Sequence, residues 1–124
     1  MSKLHSFNGG VHPDEHKLES SELPSMRAPL PQRLVLPLKQ HIGAAAVAEV
    51  AAGDKVLKSQ LLARAEGVLS AAIHAPTSGM ISAIDFHAIA HPSGLPELSI
   101  LLTPDGEDRW IEHNAIDYRT LPRG

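Results

Sequence analysis

Gly53-Asp54-Lys55-Val56 and His74-Ala75-Pro76-Thr77-Ser78-Gly79 are two reverse-turn signals that decide the fold of this 124-residue chain. Glycine and aspartate tolerate the backbone angles that a tight reversal requires, and proline presets them. An apolar run follows each turn. The two stretches therefore predict a chain that reverses direction every few residues, and we expect positive φ at Gly53 and Gly79 because glycine carries no Cβ.

Short apolar segments at even spacing predict an all-β fold. Turn residues separate them, and this pattern is typical of a sandwich or barrel rather than of βαβ units. RLVLPL, from Arg33, is expected as an edge strand because Pro37 cannot donate to a ladder. LSILL is the most apolar run, so we expect it to be central. It belongs to the predicted strand 98–103, and the other predicted strand segments are residues 56–57, 61–63, 68–73 and 80–84.

The alanine-rich segment 43–53, GAAAVAEVAAG, is ambiguous between helix and strand. Alanine is the best helix former, and Gly53 would close a helix over 44–52. However, nine residues are marginal for a helix, and Gly53-Asp54 is a strong turn signal. A weak internal repeat places HIG at 41–43 and TSG at 77–79, each with a glycine before a short strand. The repeat indicates a quasi-symmetric fold.

The first 30 residues differ in texture from the rest of the chain. They are rich in proline and polar residues and show neither hydrophobic period, so we expect an irregular N-terminal arm over 1–30 without regular structure. Gly9-Gly10 is not a phosphate-binding loop, because no strand precedes it. Spaced apolar anchors predict that the arm lies against a surface: Phe7, Val11, Leu18, Leu23, Met26 and Leu30.

Composition excludes several classes of function. The net charge is −3, and the eleven Lys and Arg residues are scattered, which argues against nucleic-acid binding. The chain has no cysteine, so disulfides, thiolate catalysis and cluster ligation by cysteine are absent from it. Its apolar runs are far shorter than the roughly 20 residues of a membrane-spanning helix, and we expect no direct membrane span in this sequence.

The histidines have both chemical and structural interpretations. His5, His12 and His16, with Asp14 and Glu15 between them, offer donors for zinc or nickel, but exposed histidines in a flexible segment are seldom organised ligands. We therefore predict no metal site.

Three further histidines, His41, His74 and His91, adjoin turns. Hydrogen bonds to their own loop backbone are favoured over a pH-sensitive or interfacial contact. Ser78 beside His74 suggests a serine hydrolase, but the nucleophile elbow and an ordered third partner are missing.

Asp105, Glu107 and Asp108 lie in the acidic run DGEDRW. A catalytic carboxylate pair needs a cleft that separates the two pKa values, and calcium needs six or more regularly spaced oxygens. Neither is evident, so we expect a solvated turn in which Arg109 pairs with a neighbouring carboxylate. No catalytic, cofactor-binding or metal-ligating residue is predicted anywhere in this sequence.

The turns resemble those of a lipoyl- or biotinyl-type domain, a barrel-sandwich hybrid. Such a domain carries its prosthetic group on a lysine at a hairpin tip between the turns, whereas residues 65–70 read AEGVLS here. Without that amine the fold cannot perform the carrier's chemistry. The glycine usual in the second turn is replaced by Ser59, which demands a less permissive backbone.

Seven collinear blocks resemble the N-terminal region of the C subunit of the Rnf electron transport complex. More distantly, they resemble the A subunit of the sodium-pumping quinone reductase. The resemblance implies a strand within 43–53, an arm over 1–30, a β sandwich over 31–104 and a connector over 105–124. The blocks are FNGGVHP (7–13), RLVLPLKQHIGA (33–44), GDKVLKSQ (53–60), HAPTSGMISAI (74–84), AHPSGLPELSILL (90–102), DGEDRWI (105–111) and DYRT (117–120).

The resemblance also implies a function for the parent protein, an ion-translocating ferredoxin:NAD oxidoreductase in the bacterial inner membrane. Its C subunit is expected to lie peripherally on the cytoplasmic side, with the other Rnf subunits as partners. Two [4Fe–4S] clusters and an FMN- and NADH-binding domain are expected beyond Gly124, so this chain is interpreted as a structural, docking domain. The alternatives are a free-standing lipoyl-like carrier or small-ligand-binding module and a metal-dependent enzyme built on the histidines.

Overall fold

The computed structural model describes residues 9–11 and 13–113. These residues form a short helix and seven strands, and the all-β prediction is confirmed. The elements are α1 (Leu18–Ser21), β1 (Leu34–Pro37), β2 (Val47–Ala48), β3 (Lys55–Val56), β4 (Leu61–Arg64), β5 (Ile73–His74), β6 (Gly79–Ala88) and β7 (Pro96–Pro104).

The strands form two antiparallel sheets that pack face to face. One sheet has the order β1-β7-β6-β3 and the other the order β2-β4-β5. The long β6–β7 hairpin runs in register from Gly79 opposite Pro104 to Ala88 opposite Pro96, with a bulge between Ile81 and Ala83. The two strands of this hairpin are the central strands of the larger sheet, and β1 and β3 are its edges.

The core is aliphatic and lies between the two sheets. Leu62 from β4 and Ile81, Ile100 and Leu102 from the larger sheet are fully buried. Burial of such side chains contributes roughly 25 cal/mol per Å² of apolar area. Every aromatic side chain in the described residues is left outside this core cluster. The sandwich is therefore held by many small contacts rather than by a few large rings.

Most predicted strands occur where the sequence placed them. Strand β7 lies between β1 and β6, which confirms the central position of LSILL. Among the strands of the described residues, β1 pairs with β7 alone, so Pro37 sits on an edge, opposite Ser99. Segment 43–53 contains β2 and no helix, so the strand interpretation is confirmed.

The predicted strand over 68–73 is wrong for all but its last residue. Only Ile73 belongs to a strand, while residues 65–72 form the tip of the β4–β5 hairpin. Gly67 has φ +75° in this tip, and the Val68 side chain is fully exposed at 100%. The apolar run there forms no ladder because its backbone bonds instead to the loop at 41–44.

The arm contains one turn of helix, which corrects the expectation of no regular structure over 1–30. The Lys17 carbonyl accepts hydrogen bonds from the N–H groups of Ser20 and Ser21, and α1 buries no side chain. Residues 1–8 and His12, including the anchor Phe7, lie outside the described residues. The described anchors Val11, Leu18, Leu23, Met26 and Leu30 are all exposed.

Two tight turns, at 51–54 and 57–60, share one hydrogen-bond pattern. The side chain of the fourth residue accepts from the N–H of the first, as in Ala51 to Asp54 Oδ2 (2.8 Å) and Leu57 to Gln60 Oε1 (3.0 Å). This local bond helps to close each turn.

The third residue of both turns has positive φ. Gly53 has φ +94°, as predicted, and Ser59 has φ +68°. Their N–H groups donate to the carbonyls of Ile81 and Ala75 respectively, each over 2.7 Å. Ser59 thus occupies the glycine position of the second turn, at a conformational cost that an L-residue bears in this region.

Gly79 lacks the positive φ that the sequence predicted. It lies inside β6, where a Cβ would stand 2.2 Å from the Thr103 carbonyl oxygen. Gly43, in the other copy of the repeat, would place its Cβ 2.2 Å from the Leu69 carbonyl oxygen. Both glycines are required because a neighbouring backbone approaches closely, whatever their φ.

Candidate functional site

The tip of the β4–β5 hairpin, residues 65–72, has no lysine and is fastened to the loop at 41–44. The Ala44 N–H donates to the Leu69 carbonyl over 3.0 Å, and the Ser70 hydroxyl donates to the Ala44 carbonyl over 3.0 Å. A carrier's tip must swing, whereas this one is bonded to Ala44 at both Leu69 and Ser70. The geometry suits a fixed surface rather than a carrier arm.

His41 contributes to this attachment. Its Nδ1 lies 2.9 Å from the Ile42 carbonyl, and its Nε2 accepts the Ala71 N–H over 2.9 Å. Nδ1 is therefore the donor and Nε2 the acceptor, which is the neutral ring. The loop-bonding interpretation of His41 is confirmed.

The other histidines are dispersed. The His91 ring bonds Ser93 within its own loop, over 2.8 Å to the hydroxyl, and His74 is exposed in β5. His16 pairs with Glu19 over 3.1 Å, while His5 and His12 lie outside the described residues. In residues 9–11 and 13–113, no group of three or more His, Asp or Glu is arranged to hold a metal ion.

The most developed polar network lies where the chain leaves the sandwich. Ser78 is fully buried, and its hydroxyl donates to Asp105 Oδ1 over 2.7 Å and accepts the Arg109 N–H over 2.9 Å. The Asp105 N–H donates to the Ser78 carbonyl over 3.1 Å. The hydroxyl thus donates one hydrogen bond and accepts another, and Ser78 joins the sandwich to two residues of this segment.

Thr77 and Lys58 hold the next turn of the same segment. The buried Thr77 hydroxyl donates to Asp108 Oδ1 over 2.9 Å, and Lys58 Nζ donates to Asp108 Oδ2 over 2.7 Å. Asp108 has φ +49°, an unusual conformation for a residue with a Cβ. These two bonds hold Asp108 in that conformation.

Backbone pairing continues the attachment beyond Asp108. The Lys58 N–H donates to the Arg109 carbonyl over 2.8 Å, and the Ile111 N–H donates to the Lys58 carbonyl over 3.0 Å. Lys58 Nζ also lies 4.4 Å from the centre of the Trp110 ring, a cation–π distance. We call residues 105–111 the exit segment, and it is fixed to the sandwich along its length.

The charges of the exit segment are stabilised by these contacts. The Ser78 hydroxyl, the Glu107 N–H and Arg109 lower the pKa of Asp105 to about 2. Lys58 and the Thr77 hydroxyl lower the pKa of Asp108. Arg109 pairs with Asp105 over 3.0 Å and with Glu107 over 2.8 Å, which confirms the predicted pairing.

The prediction of a solvated turn nevertheless describes this segment only in part. Sequence reasoning missed that Asp105 and Asp108 accept from the buried hydroxyls of Ser78 and Thr77, more than 25 residues away. The sequence signal for these contacts was a Thr-Ser-Gly motif at the start of the β6–β7 hairpin and an Asp-x-x-Asp motif after its end. Neither motif shows by itself which partner it meets.

A groove of about 420 Å³ lies beside the exit segment. Val56, Leu57 and Met80 supply apolar walls, while Asp105 and Arg109, which line it as well, are already paired with each other.

Within the described part of the chain, no helix is long and apolar enough to cross a bilayer.

Comparison with known proteins gives a consistent result. The family model described as the RnfC barrel sandwich hybrid domain matches residues 5–107. A protein of Yersinia pestis bv. Antiqua (strain Antiqua), named as the C subunit of an ion-translocating oxidoreductase complex, is 52% identical over 118 residues, which are 94% of this chain and 19% of that protein. A protein with the same name from Pectobacterium carotovorum subsp. carotovorum (strain PC1) is 49% identical over 95% of this chain and 16% of its own length. The chain spans less than a fifth of these curated relatives.

Proposed function

The chain belongs to the RnfC barrel-sandwich hybrid family, and from this membership we propose that it is the N-terminal docking domain of the C subunit of an Rnf complex. The domain carries no cofactor. It holds its parent subunit against the neighbouring subunits and keeps the flavin and cluster domains in register for electron transfer. The parent complex passes electrons between ferredoxin and NAD and translocates ions.

The observation that carries this proposal is the fixed exit segment. Ser78 to Asp105 and Lys58 to Asp108 attach it at two points, and Ile111 extends the pairing. A chain that continues from Ile111 therefore leaves the sandwich in one direction. A rigid departure supports positioning, because the rate of electron transfer falls steeply as the distance between redox centres grows.

The chain's composition supports placing the cofactors elsewhere. It has no cysteine for a cluster and no lysine in the hairpin tip for a lipoyl or biotinyl group. In this proposal, two [4Fe–4S] clusters, FMN and the NADH site belong to the remainder of the parent protein. The domain's partners are that remainder and the other Rnf subunits, and it lies peripherally on the cytoplasmic side of the bacterial inner membrane.

Removal of the domain from the full-length protein tests the docking role. We expect the protein lacking residues 2–104 to co-purify poorly with its membrane partners, while its own flavin and iron contents per molecule are retained. The cofactor contents show that the remainder has folded. Full co-purification and full ferredoxin:NAD activity without the domain would overturn the proposal.

A further inference from the structure

We propose that the apolar tip, defined as Ile42, Val68 and Leu69, is the surface by which this domain docks onto another protein subunit; this inference rests on the proposed function. The three side chains are exposed by 91%, 100% and 65%. Isolated exposed aliphatic residues are ordinary on protein surfaces, but a cluster on a fixed loop marks an interaction site. The tip occupies the place where a carrier domain would present its lysine.

The apolar tip is preorganised. The Leu69 carbonyl accepts from the Ala44 N–H, and His41 Nε2 accepts from the Ala71 N–H, so the two loops that carry the exposed side chains are bonded to each other. Gly43 permits the close approach, because any Cβ there would meet the Leu69 carbonyl at 2.2 Å. A surface whose backbone is already ordered loses little entropy on binding.

The position of the exit segment leaves the apolar tip uncovered by residues 105–111 of this chain. Lys58 precedes β4 and Thr77 follows β5, and both hold the exit segment. The hairpin tip, residues 65–72, joins the other ends of β4 and β5. The four residues of β4 separate the two ends of the hairpin by about 13 Å. Ile111 therefore lies at the end of the hairpin away from the tip, where it pairs with Lys58.

The charges at the base of the tip favour a protein over a lipid surface. Arg64 pairs with Glu49 over 2.7 Å and with Glu66, so this group carries one excess negative charge. Anionic lipid headgroups attract basic segments and repel such a rim. The complementary partner is an apolar depression of another protein, bordered by Lys or Arg.

A second copy of the chain fits less well. A two-fold pairing through the apolar tip would place the same surface against itself, and the two negative rims would face each other. A specific contact also needs about 800 Å² on each partner, more than three aliphatic side chains supply. The tip is therefore the anchor of a larger contact that extends over the adjoining cleft between residues 39–43 and 89–91.

Val68→Glu in the full-length protein tests the inference within the assembled complex. Because Val68 is fully exposed, we expect unchanged flavin content and melting, with co-purification of membrane subunits reduced about tenfold or more, as for a central anchor residue. Ile42→Glu is the second variant and should behave alike. Leu61→Glu is the control, because Leu61 is 42% exposed but begins β4, at the end of the hairpin away from the tip.

Undiminished co-purification of both tip variants would overturn the inference. If deletion of residues 2–104 still abolished assembly, only the tip assignment would fail, whereas normal assembly of that deletion would refute the proposed function. Flotation with phosphatidylethanolamine and phosphatidylglycerol vesicles that is lost in Val68→Glu would assign the tip to lipid and overturn the protein partner. A concentration-dependent dimer of the full-length protein that is lost in Val68→Glu would assign it to a second copy, with the same consequence.

Discussion

The hydroxyl of Ser78, fully buried after β5, donates to Asp105 Oδ1 over 2.7 Å and thereby joins the start of the β6–β7 hairpin to the segment that follows its end. The same hydroxyl accepts the Arg109 N–H over 2.9 Å. A single small side chain thus fixes two points of the exit segment. A charge-assisted hydrogen bond of this kind is stronger than one between neutral groups.

The contact makes folding stability depend on pH. The folded pKa of Asp105 is about 2, against an ordinary value of 3.8, so its ionised form is favoured in the native state. Its contribution is present above the unfolded pKa and is lost as pH falls through the folded one. Asp108 acts in the same direction.

We therefore expect Asp105→Asn to melt below the parent chain at pH 7, and the difference to shrink as pH falls from about 4 to about 2. Thermal unfolding by circular dichroism across this range measures it. A difference that stays constant with pH would show that the lost stability does not come from ionisation of Asp105.

Ser59→Gly should raise the stability of the chain. Ser59 has φ +68°, which costs an L-residue about 1–2 kcal/mol. Glycine removes this strain, but it loses roughly 0.5–1 kcal/mol more conformational entropy when the chain folds. We expect a net gain of about 0.5–1 kcal/mol in chemical denaturation. Ser59→Ala, which keeps a Cβ, is the control and should show no gain. Equal effects of both variants would contradict the backbone argument.

Gly79→Ala and Gly53→Ala should differ sharply, because Gly79 lies in a strand against another backbone and Gly53 lies in an open turn. At Gly79 a methyl group would stand 2.2 Å from the Thr103 carbonyl, so backbone must move, and we expect a loss of about 3 kcal/mol or more. At Gly53 the space is open and only the positive φ is strained, which costs about 1 kcal/mol. Lys55→Ala should change stability by less than about 0.5 kcal/mol. Equal losses at the two glycines would refute the close-contact explanation.

Deletion of residues 2–28 should leave the sandwich folded and weaken assembly of the full-length protein into its complex. The described anchors of the arm, among them Leu23 and Met26, are exposed, and α1 buries nothing. The truncated chain should therefore keep its cooperative melt, while co-purification of the truncated full-length protein with membrane partners falls. Loss of the cooperative melt would show that the arm belongs to the core. Undiminished co-purification would show that the arm has no role in docking.

Local physics predicted the strands of this fold better than its contacts. The edge position of β1 followed from Pro37, and the central position of β7 from its apolar run, because both signals lie within the strand itself. The run at 68–73 was misassigned because apolar content cannot distinguish a buried strand from an exposed apolar tip. Gly79 was assigned a turn conformation, whereas the approach of Thr103, 24 positions later, is what requires glycine there.

The exit segment was harder still to predict, since it depends on pairings between distant residues. DGEDRW indicated a turn and an Arg109 ion pair, both of which are local. Nothing in that run shows that Thr77 and Ser78 supply buried donors to its carboxylates. The resemblance to a family fixed the architecture, but a family pattern does not show which hydrogen bonds hold it.

The ferredoxin:NAD electron-transfer rate of membranes carrying the full-length protein with Ser78→Ala and Asp108→Ala tests the central claim most directly. These changes release two attachments of the exit segment, and we predict an incorporated protein with normal flavin and iron contents but a rate about tenfold or more below the parent, as expected for misplaced reacting centres. Glu107→Ala, which removes only an exposed ion pair with Arg109, should keep the parental rate. A parental rate in the double variant, with the exit segment shown to be loosened by hydrogen exchange at Arg109 and Ile111, would contradict the claim that this domain keeps the redox domains in register.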